Sequence, residues 1–358
     1  LTQALLQTPA GQEADEILRN CVHCGFCNAT CPTYQLTGDE LDGPRGRIYQ
    51  IKQVLEGRQA TRKTQQHLDR CLTCRACETT CPSGVDYHRL LDTGRDMVER
   101  SVQRSPGDRL VRRALRMLLP WPSRFAPLLR MGQFVRPLLP TALSQHVPEK
   151  QVSKQTAPAR HHARIMLLLD GCVQPLLAPQ INSATVRVLD ALGITVISEK
   201  SSGCCGAVSY HLNAADEARA FMRTNIDAWW PAIEKGAEAI IVTASGCAPM
   251  VKEYGHLLAE DSAYADKAKR VSELARDISE IITAEFSREA FAETGGDTRI
   301  AFHSPCTLQH GQRITGKVED ILTRLGFKLT SVSNSHLCCG SAGTYSILEP
   351  ALSAALRD

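Results

Sequence analysis

The 358-residue sequence is poor in aromatic residues, which make up 5% of it, and its formal net charge is only +3. No Lys/Arg run interleaves with aromatic side chains, so we expect no nucleic-acid surface. No window approaches the roughly 18 to 20 consecutive apolar residues that a membrane-spanning helix needs. The first twenty residues carry Glu13, Asp15 and Glu16 where a signal peptide would have an apolar core. The composition predicts a globular chain that does not span a membrane.

Cysteine, by contrast, is abundant. The chain has fifteen, an odd number, and most of them lie three or four residues apart. Such short spacings suit metal ligation better than a disulfide framework, and free thiols are typical of the reducing cytoplasm. With 43% apolar residues, a chain of this length should form two or three domains.

Two segments share the pattern C-x2-C-x2-C-x3-C-P, which is typical of bacterial ferredoxins that hold two [4Fe–4S] clusters. Three closely spaced thiolates can hold one cluster, while the fourth, carried away by the turn at the proline, reaches the other cluster. The predicted ligand sets are Cys21, Cys24, Cys27 with Cys81, and Cys71, Cys74, Cys77 with Cys31. A pair of tetrahedral zinc sites is the alternative, although such sites need no third evenly spaced thiolate.

The insertion between the two motifs, residues 32–70, has a helical pattern from Ile48 to Leu55 and again near His67 and Leu68. It resembles the α-helical ferredoxin domain of respiratory dehydrogenase iron–sulfur subunits, so we expect a helical ferredoxin domain over residues 1–100. The turn that contains Arg45 and Arg47 could place a positive charge beside a cluster and raise its potential. Solvated arginines at a helix start are the alternative.

Residues 101–163 predict a basic linker broken by prolines. From Arg109 to Pro148 there are seven arginines and no acidic residue, and the arginines alternate with large apolar side chains. Such a segment could contact anionic lipid or a partner subunit, or it could pack along its own protein with the arginines solvated. Residues 149–160 predict a flexible spacer.

Beyond the spacer the sequence contains an internal repeat with a shift of 134 positions. Cys172, Cys204, Cys205 and Gly206 recur as Cys306, Cys338, Cys339 and Gly340. Buried strands are predicted to enter the first cysteine of each half, at 164–171 and 299–304. A helix, a glycine cap and a second strand follow in both halves, so each half predicts an α/β unit. The predicted modules cover residues 164–290 and 295–358.

In the first half a further strand, 239–242, leads to Cys247, and strand ends are where ligands collect in open α/β sheets. Four thiols would then converge as a third metal centre: Cys172, Cys204, Cys205 and Cys247. A buried structural turn is the alternative. Cys306, Cys338 and Cys339 predict a further centre or a structural site. The counterpart of Cys247 would fall near position 381, beyond Asp358, so the second module is expected to be truncated.

The duplicated Cys-Cys-Gly pattern resembles the cysteine-rich (CCG) domain of heterodisulfide reductase and of iron–sulfur subunits of flavin-linked dehydrogenases. The resemblance covers about residues 164–358. In the reductase the pattern ends in C-x-x-C, whereas this chain has Met250 three residues after Cys247. Disulfide reductase activity is therefore kept only as an alternative. His303 and His310, near Cys306, could be ligands or quinone contacts, or ordinary structural histidines.

The order of two ferredoxin motifs, linker and duplicated CCG module resembles the iron–sulfur subunits of glycolate oxidase, anaerobic glycerol-3-phosphate dehydrogenase and lactate-utilisation complexes. The resemblance to the glycolate oxidase subunits is strongest, and the segments that carry it include 21–36, 38–48, 226–231 and 335–345. It implies that FAD-binding partner subunits oxidise glycolate to glyoxylate, while this chain passes electrons to a quinone or another respiratory acceptor.

The sequence supports this division of labour, because no Gly-rich strand-to-helix fingerprint stands at a credible position and the flavin should lie on a partner chain. We expect a cytoplasmic subunit with peripheral contact to the inner face of the cell membrane. The equivalent subunit of a lactate or glycerol-3-phosphate dehydrogenase remains an alternative. Two further alternatives are a thiol–disulfide enzyme and a protein whose clusters have a purely structural role.

Overall fold

The computed structural model describes residues 1–144, 147–151, 161–286, 294–296 and 298–358. The chain forms two compact units. Unit 1 comprises Leu1–Leu110, Ile300–Thr315 and Thr330–Asp358, and unit 2 comprises Val111–Arg299 and Gly316–Leu329. The predicted module at 295–358 thus contributes residues to both units. Among the described residues, every helix is too short or too polar to cross a bilayer.

The α-helices, in chain order, are α1 Gln3–Leu6, α2 Pro9–Asn20, α3 Pro32–Thr37, α4 Pro44–Leu55, α5 Arg62–Asp69, α6 Ala76–Thr80, α7 Tyr87–Ser101, α8 Pro106–Leu118, α9 Pro122–Val135, α10 Thr141–Ser144, α11 Gln174–Leu177, α12 Gln180–Ala191, α13 Ala207–His211, α14 Ala215–Glu234, α15 Ala248–Lys252, α16 Tyr254–Leu257, α17 Ala265–Leu274, α18 Ile278–Glu285, α19 Lys317–Arg324, α20 Tyr345–Leu348 and α21 Pro350–Arg357. The strands are β1 Arg164–Leu169, β2 Ile194–Ile197, β3 Ile240–Val242, β4 Ala275–Asp277, β5 Arg299–Ala301 and β6 Lys328–Thr330.

The core of unit 1 lies where α4 and α2 pack against α7. Helix α4 begins at Pro44, whose fixed φ suits a first helical turn, and it buries Ile51 completely. A Cβ atom added at Gly94 of α7 would lie 2.6 Å from Cγ1 of Ile51, so glycine permits the two helices to approach. The helices predicted from Ile48 to Leu55 and near His67 are confirmed as α4 and α5.

Unit 2 contains a parallel sheet with the strand order β2-β1-β3-β4. The central strands β1 and β3 are almost wholly buried, as their runs of Leu, Ile and Val predict for a sheet covered on both faces. Gly193 follows the end of α12, and its φ of 75° turns the chain toward the start of β2. The predicted strands leading to Cys172 and Cys247 are therefore present.

The second repeat forms only a two-stranded sheet, β5 with β6. Arg299 and Ala301 are exposed and Ile300 is half-buried. The prediction of a buried strand at 299–304 is wrong in this respect, because the side chains of β1 are covered by helices such as α12 and α14, whereas those of β5 are largely left open to solvent.

The predicted linker is largely helical. Helices α8 and α9 cover most of residues 106–135, and neither contains a buried residue. Helix α9 includes Pro127 in its interior, while residues 119–121 separate it from α8. Most of the predicted spacer, residues 152–160, lies outside the described residues.

Candidate metal centres

The first two cysteines of the N-terminal motif, Cys21 and Cys24, lie on a loop between α2 and a short 3-10 helix at Phe26–Thr30, and Cys27 lies in that 3-10 helix. The loop reverses direction because His23 and Gly25 adopt left-handed angles, with φ of 52° and 85°. Glycine adopts this left-handed angle without strain, and it leaves room for Arg45, whose Nη1 would lie 2.6 Å from an added Cβ atom. Arg45 is held there by Glu40, whose Oε1 accepts from its Nε at 2.7 Å.

The loop and the end of the second motif line a partly open pocket. Four of the thiols that line it are the predicted first set, Cys21, Cys24, Cys27 and Cys81, and Cys77 of the second set lines it as well. Burial raises the pKa of the Cys27 thiol to about 11, and the neighbouring thiols act in the same direction. Four thiols, with no carboxylate among the described lining residues, form a soft donor set that suits iron–sulfur clusters or zinc.

The second motif repeats the backbone of the first. Thr73 and Arg75 occupy the positions of His23 and Gly25, and they have φ of 52° and 62°. An arginine in the left-handed region costs about 1–2 kcal/mol. The loop therefore keeps its shape at an energetic cost, as expected where the positions of the thiols matter.

Cys31, the last cysteine of the first motif, lies with the thiols of the second motif. Burial raises the pKa of Cys77 well above its ordinary value, and nearby acidic groups raise it further. The thiols among these neighbours are Cys74, Cys71 and Cys31. The structure thus brings together the same two sets that the sequence predicts, while iron ligation by them stays a prediction.

Two polar groups lie close to sulfur atoms of the second set. The Sγ atom of Cys31 is 3.2 Å from Oγ1 of Thr33. The hydroxyl of Tyr87, a buried residue of α7, donates to Sγ of Cys71 at 3.7 Å. Hydrogen bonds to ligand sulfurs favour the reduced form of a cluster, so these residues can tune its potential.

A buried charge network stands beside the same thiols. The carboxylate of Asp42 is fully buried and accepts from Arg70 at 2.9 Å, and it contacts Nδ1 of His67 at 2.8 Å. Arg47 is also buried, 3.7 Å from Asp42, and its Nε donates to the carbonyl of His67 at 2.7 Å. Burial alone would lower the pKa of Arg47, but acidic groups that include Cys71 hold it above its ordinary value. The guanidinium is therefore a fixed positive charge beside the second set.

Thiols of the second repeat lie in unit 1 as well. The Sγ atoms of Cys306 and Cys338 are 3.6 Å apart, and Cys338 packs with Cys74 and Tyr345 in an apolar cluster. Donation from the Cys306 thiol lowers the pKa of Cys338. The hydroxyl of Tyr345 donates to the carbonyl of Arg70 at 3.2 Å, which fixes this segment against the second motif. The sequence contains no spacing that predicts this neighbourhood.

The two histidines near Cys306 have different surroundings. His310 is buried, and its Nε2 donates to the carbonyl of His336 while its Nδ1 accepts from Thr79, both at 2.8 Å. Burial lowers its pKa, which agrees with this neutral tautomer. His303 lies 3.2 Å from the carbonyl of Leu337. Both ring nitrogens of His310 are thus engaged by the protein, so its structural role is the better interpretation.

In unit 2 the cysteines of the first repeat follow the carboxyl ends of the three strands β1, β2 and β3, which meet at one edge of the sheet. Their thiols form a connected row, since the thiols of Cys172 and Cys205 act on the pKa of Cys204, and the thiol of Cys247 acts on that of Cys205. The contact with Cys172 alone would lower the pKa of Cys204, but the contact with Cys205 and burial raise it to about 12. The four residues predicted as a third centre are therefore close together.

Two buried polar side chains hold the Cys-Cys-Gly turn of unit 2. The amide of Asn225, on α14, accepts from the backbone N–H of Gly203 and donates to the carbonyl of Cys204, both at 2.8 Å. The hydroxyl of Tyr254 donates to the carbonyl of Cys205 at 2.9 Å and contacts the Asn225 amide at 3.0 Å. No motif in the sequence predicts either residue. The available signal was a polar residue within the apolar face of α14.

The turns of the two repeats have the same local geometry. Gly206 and Gly340 both adopt left-handed angles, with φ of 92° and 78°. A Cβ atom at Gly206 would lie 3.1 Å from the carbonyl oxygen of Ala218, and one at Gly340 would lie 2.6 Å from that of Ser353. Glycine thus lets each turn press against a following helix.

Two family models match the chain. A 4Fe-4S dicluster domain matches residues 17–85, and a cysteine-rich domain (CCG) matches residues 166–252 and 300–358. The first match contains both ferredoxin motifs. The second contains all seven cysteines of the repeat.

Relatives match the chain over much of its length. It is 58% identical to the glycolate oxidase iron-sulfur subunit of Escherichia coli K12 over 358 residues, which covers 100% of this chain and 88% of that protein. The probable glycolate oxidase iron-sulfur subunit of Bacillus subtilis 168 is 28% identical over 369 residues, with 95% and 82% covered. Lactate utilization protein A of Anoxybacillus flavithermus is 29% identical over 182 residues, with 49% and 72% covered.

Proposed function

The chain belongs to the family of glycolate oxidase iron–sulfur subunits, and we propose that it carries electrons from FAD-binding partner subunits to a quinone or another respiratory acceptor. The partner subunits oxidise glycolate to glyoxylate. The observation that carries this proposal is the crossed grouping of eight thiols within unit 1, in which each motif contributes one cysteine to the set of the other. This arrangement holds two centres close together, as electron transfer between them requires.

The donor sets fit two [4Fe–4S] clusters. Bound there, such clusters supply one-electron chemistry. Each set offers four thiols, and the first lines a partly open pocket rather than a filled core. Around the second set the residues differ, because Arg47 supplies a buried positive charge and Tyr87 a hydrogen bond to sulfur. These residues raise the potential of the second centre above that of the first.

We assign a third iron–sulfur centre to the row of thiols in unit 2. The residues that would hold it are Cys172, Cys204, Cys205 and Cys247. Cys306, Cys338 and Cys339 form a further centre or a structural site beside the second ferredoxin set. The flavin belongs to a partner chain, since hydride chemistry needs a dinucleotide fold that the sequence motifs here do not predict.

The first experiment counts iron and acid-labile sulfide in the anaerobically purified chain, with EPR spin quantification after reduction. A Cys204→Ser/Cys205→Ser variant is compared with wild type, and Thr224→Ala, an exposed change on α14, is the control. About twelve irons that fall to about eight in the double variant support three centres, at four irons per cluster. About eight irons in both would contradict the third centre.

The second experiment tests the direction of electron flow in the reconstituted complex. Cys24→Ser should abolish quinone reduction while glycolate still reduces the flavin of the partner. The isolated chain should not oxidise glycolate. Glycolate turnover by this chain alone would contradict the division of labour between subunits.

One alternative to glycolate as the substrate of the partner subunits is favoured by a specific observation. The match to lactate utilization protein A covers about half of the chain, so a lactate-oxidising complex is the second candidate. Steady-state turnover of the complex with glycolate, lactate and glycerol 3-phosphate separates them. A preference for lactate would overturn the glycolate assignment without affecting the electron-transfer role.

We place the chain in the cytoplasm, in peripheral contact with the inner face of the cell membrane, where a quinone acceptor is reached. Its fifteen free thiols support the reducing compartment. Thiol–disulfide chemistry is disfavoured by Met250, which is buried in α15 where the reductase pattern has its last cysteine.

A further inference from the structure

The segment between Leu110 and Leu138 exposes apolar side chains far more densely than the rest of the described chain. It holds eight of the fifteen large apolar side chains that are exposed among the described residues. The exposed fraction reaches 82% for Phe134 and 83% for Leu138. Single exposed apolar residues are ordinary, but this concentration within 29 positions needs a partner.

The exposed apolar side chains of α9 and the turn after it form one stripe. Leu128, Met131, Phe134 and Leu138 follow one another at intervals of three or four residues, which is the spacing of one helix face. A surface helix of a soluble domain turns such a face inward. Here no residue of α8 or α9 is buried, so the apolar stripe faces solvent.

The charged residues within this segment have one sign, although Arg116 and Arg136 pair with Glu217 and Glu149 outside it. Seven arginines and no acidic residue lie between Arg109 and Pro148. Arg113 and Arg130 are exposed, and within the described residues neither forms an ion pair with a carboxylate. An exposed apolar stripe with unpaired arginines matches a surface of anionic headgroups above acyl chains.

The segment is also fixed in place on unit 2. Arg116 pairs with Glu217 of α14 at 2.9 Å, and the rings of Trp121 and Phe221 are 5.3 Å apart. The contacts occupy the end of α8 and the start of α9, and they leave the stripe from Leu128 to Leu138 uncovered by described residues. A fixed helix with a free apolar face can enter a membrane surface without the conformational entropy cost of ordering the helix first.

We propose that α9, with the arginines of α8, binds the surface of an anionic phospholipid membrane. Met131, Phe134 and Leu138 enter the boundary between headgroups and acyl chains, and Arg113 and Arg130 pair with lipid phosphates. The inference deepens the membrane contact of the proposed function by naming its surface. It does not depend on the identity of the substrate or on electron transfer.

The test is co-sedimentation of the purified, iron-loaded full chain with vesicles of phosphatidylcholine, with and without phosphatidylglycerol. We expect binding to the anionic vesicles alone, weakened by salt. Arg113→Gln/Arg130→Gln should reduce the partition constant by about 30-fold, at about fivefold for each arginine. Met131→Ser/Phe134→Ser/Leu138→Ser should abolish binding. The control Ile181→Ser/Ile347→Ser removes exposed apolar side chains elsewhere and should bind like wild type.

Equal binding of wild type to both vesicles, no binding to either, or unchanged binding of the triple serine variant would overturn the proposal. If wild type binds no vesicle and the triple serine variant no longer assembles with the FAD-binding subunits, the face belongs to a protein partner instead. Reduction of a soluble quinone analogue by the complex is measured in parallel. A complex that binds vesicles but does not reduce the quinone analogue would refute the electron-transfer role without contradicting the lipid-binding surface.

Discussion

Replacement of Asn225 by leucine should destabilise unit 2 through the Cys-Cys-Gly turn. The amide is fully buried. Its removal leaves the N–H of Gly203 and the carbonyl of Cys204 without their hydrogen-bond partner. A buried polar group that loses its hydrogen-bond partner costs about 1–3 kcal/mol. For the N–H of Gly203 we expect the lower end of this range, because this residue is only partly buried. We expect a loss of about 2–4 kcal/mol, a large part of the 5–15 kcal/mol that stabilises a typical domain.

The assay uses the positions of the tryptophans. All three, Trp121, Trp229 and Trp230, lie in unit 2, so their fluorescence during urea unfolding reports on this unit alone. Iron-free, reduced protein is used in order to keep the free energy of metal binding out of the comparison. Tyr254→Phe, which frees the carbonyl of Cys205, should cost about 1–2 kcal/mol. Thr224→Ala on the exposed face of α14 should change the free energy of unfolding by less than about 0.5 kcal/mol.

This order of effects is the test. If Asn225→Leu were no more destabilising than Thr224→Ala, the turn would not depend on its hydrogen bonds with α14. If Tyr254→Phe were the more damaging of the two buried changes, the phenol rather than the amide would hold the turn.

Three further predictions concern charge, potential and exposure. Burial alone would raise the pKa of Glu280, but Lys252 at 2.8 Å and a backbone N–H lower it. Glu280→Gln should therefore cost unit 2 about 0.5–1 kcal/mol at pH 7 and less near pH 3, because this stabilisation is lost as the pH falls toward the lowered carboxyl pKa of the folded chain. Tyr87→Phe should keep all iron but lower the potential of the centre at Cys71 by roughly 40 mV, the equivalent of one hydrogen bond of about 1 kcal/mol. After iron removal, iodoacetamide should modify the exposed thiol of Cys24 before any buried thiol, as mass spectrometry will show.

Each of these predictions has a contradicting result. An equal cost of Glu280→Gln at both pH values would mean that its charge contributes no stability, because glutamine keeps the capping-box acceptor and removes only the charge. An unchanged potential in Tyr87→Phe, with the visible and EPR spectra retained, would remove the phenol from the tuning residues. Modification of Cys77 ahead of Cys24 would contradict the burial of the second set.

The parts of the structure that the sequence predicts are those with local signals. The eight ferredoxin cysteines have a fixed spacing, and the helix from Ile48 to Leu55 has a helical period. Gly193 marks the end of α12 because a left-handed residue there needs no Cβ atom. In each case the information lies within a few residues of the feature.

The residues that the sequence analysis missed act over long distances. Asn225 bonds a backbone carbonyl 21 positions away, and Tyr254 bonds one 49 positions away. Such bonds follow from how helices pack on the sheet edge and leave no periodic pattern. The exposure of β5 was missed for a related reason, since burial of a strand depends on the helices that pack on its faces, which its own residues do not encode.

The hydrogen bond from Tyr345 to the carbonyl of Arg70 joins residues 275 positions apart. At about 5–20 residues per second, a ribosome needs roughly 14 to 55 s to make the chain between them. During that interval the second ferredoxin motif is complete, but Cys338 and the helices that cover Cys74 do not yet exist. Thiols that are buried in the finished protein are then open to oxidation in the nascent chain. Oxidation during this interval limits the time available for iron delivery, a limit that the folded state does not show.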